Sequence, residues 1–228
     1  MKKPNALDIK IDLLKYSPGI RNPDTFYGLP SKISFCEKCG ISNQRPNSAV
    51  EFQHTAGSNK KTINFDENGV CDACRISELK NCEIDWEERE RKLVEVCNKF
   101  RSRNGSYDCL VPGSGGKDSF YQSWMLKYKY GMNPLTVTWA PNIYTDWGRH
   151  NFDAWIHSGM DNYLMTTSGR SKRLLTRLAV ENLFHAFQPF IIGQKGFAPK
   201  MAIMFNIPLI FYGENEAEYG NPIDDNAD

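Results

Sequence analysis

From residue 108 onward, short apolar runs alternate with longer segments in which apolar and polar residues recur at helical spacing. Runs this short, flanked by glycine and proline, are typical of strands rather than helices. The sequence predicts strands at 108–111, 135–139, 162–165, 190–192 and 209–212. It predicts helices at 119–130, 147–157, 171–187 and 198–206. Because strand and helix alternate, we expect βαβ crossovers and an α/β fold whose parallel sheet is covered on both faces.

The first 84 residues follow a different pattern, with few apolar runs and many prolines. The prolines are Pro4, Pro18, Pro23, Pro30 and Pro46. This pattern predicts loops and short strands, which bury too little apolar surface for a core of their own. A helix then begins after Asp85, which is typical of an N-cap because Glu88 follows three residues later. We therefore divide the chain into an N-terminal segment, residues 1–84, and a larger domain, residues 85–228.

The N-terminal segment contains two CxxC pairs, Cys36 with Cys39 and Cys71 with Cys74, among the seven cysteines of the chain. Each pair offers two thiolates from one tight turn, so two turns together complete a tetrahedral site of the kind that holds Zn²⁺. The spacing predicts structural zinc; four free buried thiols and an iron–sulfur cluster are the alternatives. Because the segment has little core, the metal would carry much of its stability, on the order of 10 kcal/mol.

The first predicted strand of the larger domain leads into a glycine-rich turn, residues 113–116. Successive N–H groups in such a turn form a concave nest for an anion, and the helix that follows adds the positive end of its dipole. A Walker A loop is excluded, because it needs glycine at the position of Val111 and a hydroxyl residue at the position of Asp118. The pattern predicts a phosphate site of another class; a strand-to-helix turn without a ligand is the alternative.

Residues 114–119 read SGGKDS and resemble the SGGxDS PP-loop of the ATP pyrophosphatases, which cleave ATP between its α and β phosphates. Further motifs narrow the likeness. They are the two CxxC pairs, Arg45 with Pro46, the sequence FDENGVC at 65–71 and the sequence FYGENEAEYG at 211–220. In this combination the chain resembles the N-acetyl sugar amidotransferases of lipopolysaccharide O-antigen and flagellar nonulosonic-acid (pseudaminic and legionaminic acid) pathways. The similarity spans residues 36–220.

This resemblance implies a Rossmann-like PP-loop domain that uses ATP and Mg²⁺, preceded by a structural zinc segment. It implies a reaction in which the carbonyl oxygen of an N-acetyl sugar is adenylated and then replaced by ammonia, giving an acetamidino sugar, AMP and pyrophosphate. Lys117 would neutralise charge on the pyrophosphate and Asp118 would bind Mg²⁺, so these two are the expected catalytic residues. The residues implied to bind ATP are Ser114, Gly115, Gly116, Lys117, Asp118 and Ser119.

The resemblance also implies partners. Ammonia would come from a glutaminase subunit similar to that of the histidine pathway, with a cyclase-like companion as a further expectation. No glutaminase nucleophile is evident in the chain, since Cys109 falls inside the first predicted strand. Chains of the family continue past a segment like 213–220, whereas this sequence stops at Asp228, so we expect either a short form or a missing C-terminal portion. The sequence leaves open whether the protein forms a homo-oligomer.

Net charge and hydropathy argue against several other classes of function. The net charge is +1 and basic residues form no stripe, which argues against nucleic acid as a partner. A PP-loop enzyme that thiolates tRNA or forms lysidine is one alternative, which this charge disfavours, and a non-catalytic zinc-bearing scaffold that binds ATP is another. No apolar run is long enough to span a membrane, so we expect a cytoplasmic protein without membrane contact.

Ligands of a parallel sheet lie beyond the carboxyl ends of its strands. The loops expected to meet there follow Val111, Trp139, Met165, Ile192 and Tyr212. In these loops, Arg170 is a candidate for phosphate or carboxylate contacts, with solvent as the alternative. Glu214 and Glu216 are candidates for metal, ammonia or substrate contacts, with an exposed acidic loop as the alternative.

Overall fold

A computed structural model of the chain describes residues 29–45 and 62–213. The chain divides into two compact units between Ile84 and Asp85. In the described residues of the first unit, a single helix, α1 (Asp72–Cys82), follows two small turns. Each turn is closed by one antiparallel bridge, Phe35 with Ser42 and Phe65 with Cys71. The turns and isolated bridges among the described residues of this unit agree with the prediction of loops and short strands, but that prediction missed the helix α1.

The second unit contains a parallel sheet of three strands in the order β1-β2-β3. The strands are β1 (Cys109–Pro112), β2 (Pro134–Trp139) and β3 (Asp161–Met165). Leu110 pairs with Leu135, and Leu135 pairs in turn with Asp161. This confirms an α/β fold with a parallel sheet and places its first three strands within a residue or two of their predicted bounds.

The last predicted strand, 209–212, is present only as a short extension of the sheet. Ile210 forms a parallel bridge with Leu110. The N–H of Leu110 donates to Leu209 O at 2.9 Å, and the N–H of Phe211 donates to Leu110 O at 2.9 Å. Residues 209–211 therefore lie along the side of β1 that faces away from β2, so β1 has a backbone neighbour on each side.

Five helices accompany the sheet in the described part of the second unit. They are α2 (Trp86–Phe100), α3 (Lys117–Trp124), α4 (Asp146–His157), α5 (Gly169–Leu183) and α6 (Gln188–Met204). A π-helical turn, Met125–Lys129, continues α3. Asp85 is the N-cap of α2 and accepts from the N–H of Glu88 at 2.9 Å, which confirms the predicted capping. None of the described helices is long and apolar enough to cross a membrane.

The prediction of a strand at 190–192 is wrong, because these residues lie inside α6. The predicted helix 198–206 is the second half of the same helix, which ends at Met204. Gly193 and Pro199, which mark breaks in a sequence pattern, are both accommodated within it. At Gly193 a Cβ would lie 2.3 Å from the Trp139 ring, so the glycine allows the helix to pack closely on the end of β2.

Side chains of β1 alternate between two cores. Leu110 packs with Leu135, Val137 and one face of α6 on one side of the sheet. Cys109 and Val111 point to the other side. The remaining members of that second core are Cys97, Leu126 and Met132. Strand β1 is thus buried on both faces, which fixes the position of the loop that follows it.

Candidate metal centre and glycine-rich loop

The four cysteines of the two CxxC pairs come together in the first unit. Their Sγ atoms all lie within 4.8 Å of one another. Cys39 Sγ is 3.6 Å from Cys71 Sγ, and Cys36 Sγ is 4.0 Å from Cys74 Sγ. In a tetrahedral site with metal–sulfur bonds of about 2.3 Å, sulfur atoms are about 3.8 Å apart. The predicted ligand set is therefore confirmed as a group that can hold a metal ion.

Local sequence builds the turns that adjoin Cys39 and Cys71. Asp66 Oδ1 accepts from the N–H groups of Asn68 and Val70 at 2.9 and 2.8 Å, which closes the turn that precedes Cys71. Gly69 in that turn has φ of +73°, and Gly40, which follows Cys39, has φ of +72°. Glycine suits this left-handed region because it has no Cβ. The DENG residues of the FDENGVC motif thus have a structural role in presenting Cys71.

Backbone N–H groups stabilise one thiolate in the cluster. The N–H groups of Lys38 and Cys71 lie 3.4 and 3.3 Å from Cys36 Sγ. Burial alone would raise the pKa of Cys36, but hydrogen bonds from the N–H groups of Cys39, Cys71 and Lys38 outweigh it and lower that pKa to about 6. Burial, followed by the neighbouring thiols, raises the pKa of Cys74 to about 12. Without a cation, the cluster therefore favours one thiolate and resists more.

This charge pattern predicts how metal binding depends on pH. A bound metal requires all four sulfurs as thiolates, so binding releases protons from Cys71 and Cys74, whose pKa values burial raises. We expect the metal affinity to rise more than about tenfold per pH unit above pH 6, because more than one proton leaves for each ion bound. The rise should steepen below about pH 6, where Cys36 also takes up a proton. Competition with a chelator at several pH values measures it, and an affinity independent of pH contradicts it.

The three other cysteines lie apart from the cluster. Cys82 is the exposed last residue of α1. Cys97 and Cys109 are buried in the core of the second unit. Burial, with the nearby Asp108 carboxylate, raises the pKa of Cys109, so this thiol is poorly suited to act as a nucleophile.

The glycine-rich turn connects β1 directly to α3. β1 ends at Pro112, and α3 begins at Lys117 with Gly116 as its N-cap. The N–H of Gly113 donates to Val137 O at 3.0 Å, which ties the start of the turn to β2. The strand–turn–helix context predicted for this motif is therefore confirmed. Such a context places backbone N–H groups and a helix N-terminus at one point.

Two of the glycines are required by packing. A Cβ on Gly113 would lie 2.4 Å from Ser119 Cβ, so this glycine lets the strand end meet the first turn of α3. Gly115 is buried with φ of +83°, and a Cβ there would lie 2.7 Å from the backbone of Phe152 in α4. A Cβ on Gly116 would meet only Ser114 Oγ, at an ordinary contact distance of 3.8 Å. The turn is thus held rigidly between β1, α3 and α4 while its outer edge faces solvent.

We expect Gly115→Ala to destabilise the protein by at least about 3 kcal/mol, since it combines left-handed strain with a clash against backbone. Gly105→Ala is the matched control. Gly105 has nearly the same φ, +81°, but nothing lies within 4 Å of the point that an added Cβ would occupy. Strain alone should cost this control about 1 kcal/mol. Denaturant unfolding measures both variants, and equal losses of stability would contradict the packing role of Gly115.

The charged residues of the motif lie on the outer edge of the turn. Lys117 and Asp118 have side chains that are 88% and 58% exposed, and Lys117 Nζ lies 2.6 Å from Asp118 Oδ1. Ser119 is buried, and its hydroxyl donates to Gly116 O at 3.2 Å. The motif thus presents an ammonium, a carboxylate and exposed backbone on one solvent-facing edge. This arrangement can hold an anion together with a divalent cation.

The segment after the last predicted strand also reaches this turn. A Cβ on Gly213 would lie 3.4 Å from the backbone N of Ser119, and Gln122 Nε2 donates to Tyr212 O at 2.9 Å. The expectation that loops after the strands meet near the motif is confirmed for Gly213. Glu214, Asn215 and Glu216 lie outside the described residues, as do Pro46, Tyr219 and Gly220.

Elsewhere at this end of the sheet, a lysine that the sequence pattern did not single out joins α5 to the loop that follows β2. Lys172 Nζ, near the start of α5, donates to Ala140 O just after β2 at 2.9 Å. Burial lowers the pKa of Lys172. Arg170, the residue that was singled out, is exposed. The structure thus brings Lys172, rather than Arg170, against the loop that follows β2.

Sequence reasoning also missed a groove beside the glycine-rich turn. This aromatic groove has a volume of about 510 Å³. It is lined by Gly115, Lys117, Phe120, Tyr121, Trp124 and Asn151. The three aromatic residues follow the motif directly on α3, whereas Asn151 comes from α4. The run of aromatic residues was the available signal, but its pairing with α4 depends on the tertiary fold.

Comparison with known proteins shows a distant likeness over part of the chain. No family model matches the chain. An uncharacterized protein of Methanocaldococcus jannaschii is 33% identical over 84 residues, which are 37% of this chain and 29% of that relative. The chain thus matches less than a third of the relative's length, and the relative's name carries no activity.

Proposed function

We propose that the protein is an ATP-dependent, AMP-forming amidotransferase that converts the acetamido group of an N-acetyl sugar into an acetamidino group. The observation that carries the proposal is the SGGKDS turn between β1 and α3. Gly115 in this turn is required by close packing, while the Lys117 and Asp118 side chains are exposed to solvent, where a ligand can reach them. The motif's resemblance to the ATP pyrophosphatase loop supports ATP as the ligand.

In this proposal the turn holds the β and γ phosphates of ATP. Backbone N–H groups and the N-terminus of α3 stabilise the negative charge, and Lys117 neutralises what develops on the leaving pyrophosphate. Asp118 would hold Mg²⁺ through a carboxylate oxygen, and the ion would neutralise part of the phosphate charge. Catalysis then comes from position and charge, without a nucleophile from the protein.

The chemistry proceeds in two steps. The acetamido carbonyl oxygen attacks the α phosphorus as the bond to the bridging oxygen of pyrophosphate breaks, giving an adenylated imidate. Ammonia then adds to the imidate carbon, and AMP leaves with the original carbonyl oxygen as a proton is lost. Adenylation is needed because an amide is a poor electrophile and its oxygen a poor leaving group. Ammonia is mostly protonated at neutral pH, so we propose a glutaminase partner that delivers it unprotonated, with a cyclase-like companion.

We further propose that the ion in the four-cysteine cluster is Zn²⁺ with a structural role. Four sulfur ligands leave no open position for a substrate, which is the pattern of structural zinc sites. The seven cysteines are unpaired, which fits a reducing compartment, and we place the protein in the cytoplasm.

The experiment that tests the function uses ATP, Mg²⁺, ammonium and diacetamido sugars with the purified protein. We expect AMP, pyrophosphate and a sugar lighter by the difference between O and NH, all detected by mass spectrometry. ADP in place of AMP would refute α–β cleavage. AMP formation that requires tRNA rather than sugar would assign the protein to the tRNA-modifying class instead.

A further inference from the structure

The walls of the aromatic groove are exposed although they are apolar. Tyr121 and Trp124 are 65% and 43% exposed, and both line this groove, so the two rings form one apolar patch on α3. The groove also carries polar groups, the Asn151 amide and the Lys117 ammonium. Apolar walls with a few polar groups are the usual composition of a small-molecule site.

The rings are held in place by their neighbours. Phe120 packs against the buried cluster of Phe152 and Trp155, so the base of the groove is part of a core. The Trp124 ring lies 5.5 Å from the Tyr128 ring, and the Tyr128 hydroxyl donates to Ser158 O at 2.7 Å. Phe120 and Trp124 are therefore held by neighbouring side chains, which lowers the entropy cost of binding a ligand against them.

We infer that the aromatic groove binds the hexose ring of the acetamido acceptor, an inference that rests on the proposed function. A pyranose has a C–H face that packs on Trp124 or Tyr121, and a polar edge that hydrogen-bonds to Asn151. The groove is open to solvent and, at about 510 Å³, has room for a single sugar unit.

The position of the groove agrees with this occupant. Gly115 and Lys117 belong both to the groove and to the turn that is proposed to hold the phosphates. A sugar in the groove would therefore lie beside the proposed nucleotide site. Adenine also stacks on aromatic rings, so the test separates the two occupants.

The test measures sugar binding without catalysis. Saturation-transfer NMR uses N-acetylglucosamine and N-acetylgalactosamine as probes, and equilibrium dialysis measures ATP binding in parallel. We expect transfer to the ring protons from the unmodified protein, and binding weakened roughly tenfold by Trp124→Ala and by Tyr121→Ala. Trp124→Phe should restore part of the loss. Phe184→Asn is the control, because Phe184 is 96% exposed, lies outside the groove and has the positive φ that asparagine tolerates.

Each other outcome overturns the inference. It fails if neither sugar receives saturation from the folded protein, or if both alanine variants bind sugar as tightly as the unmodified protein. It also fails if the alanine variants lose ATP binding while sugar binding is unchanged, because the groove then holds the base. Failure of the unmodified protein to bind ATP is a separate result, which refutes the proposed function and is read from the dialysis alone.

Discussion

Lys117→Ala is expected to lower the rate of AMP and pyrophosphate formation at least about a hundredfold, as removal of one charge-stabilising group does in related chemistry. The Lys117 side chain is 88% exposed at the first residue of α3, so its removal should leave the fold unchanged. Its ammonium can stabilise only a ligand on the outer edge of the turn. The rate is measured as AMP released from ATP in the presence of Mg²⁺, ammonium and an acetamido sugar.

Two further variants test whether the loss of rate is specific to the charged residues of the turn. Lys200→Ala removes an exposed lysine from α6 and should leave the rate unchanged. Asp118→Asn removes the carboxylate but keeps its size, so the Mg²⁺ concentration needed for half-maximal rate should rise. A Lys117→Ala protein with the full rate of AMP formation would remove this lysine from the mechanism.

Cys71→Ser is expected to abolish metal binding and to unfold the first unit. Cys71 is fully buried, and its Sγ lies 3.6 Å from Cys39 Sγ, so a serine there leaves a closed site with three thiolates. Purified protein should contain about one zinc per chain and the variant almost none. Because metal binding supplies on the order of 10 kcal/mol to such segments, the first unit should become sensitive to protease.

The control for this variant is Cys82→Ser, which changes an exposed cysteine of α1 outside the cluster. It should keep both the zinc and the resistance to protease. Elemental analysis and limited proteolysis read the two effects separately. Unchanged zinc content in Cys71→Ser would exclude the four-cysteine site. Iron in place of zinc in the unmodified protein would show that the cysteines bind an iron–sulfur cluster.

The features predicted most accurately are those that local sequence determines. A CxxC pair forms its own turn, and Asp66 closes the turn before Cys71 through bonds to residues two and four positions later. The glycine-rich motif likewise lies between a strand and a helix that adjoin it in the chain. Such short-range interactions are the ones that sequence patterns record.

The strand predicted at 190–192 was wrong because tertiary packing, rather than local sequence, determines that these residues form a helix. Three apolar residues in succession suit a buried strand and a buried helix equally. The choice depends on Gly193, which admits the Trp139 ring, and on Phe197 and Met201, which pack on the sheet from the same helix. The spacing of apolar residues in the sequence does not reveal these contacts.

The aromatic groove was missed for a related reason. Tyr121 and Trp124 have the spacing of an ordinary helix face, which sequence reasoning assigns to a core. Only the packing of α3 beside α4 shows that the rings stay exposed next to Asn151 and the glycine-rich turn. Exposure of large rings thus supplied evidence that residue type and spacing could not.

The central claim is that the turn at residues 114–119 holds the outer phosphates of ATP. A crystal structure with Mg²⁺ and the ATP analogue whose α and β phosphorus atoms are joined by methylene tests it most directly. We predict that the β and γ phosphates accept hydrogen bonds from backbone N–H groups of this turn and lie beside Lys117. Phosphates bound elsewhere, or an unoccupied turn at saturating analogue, would contradict the account.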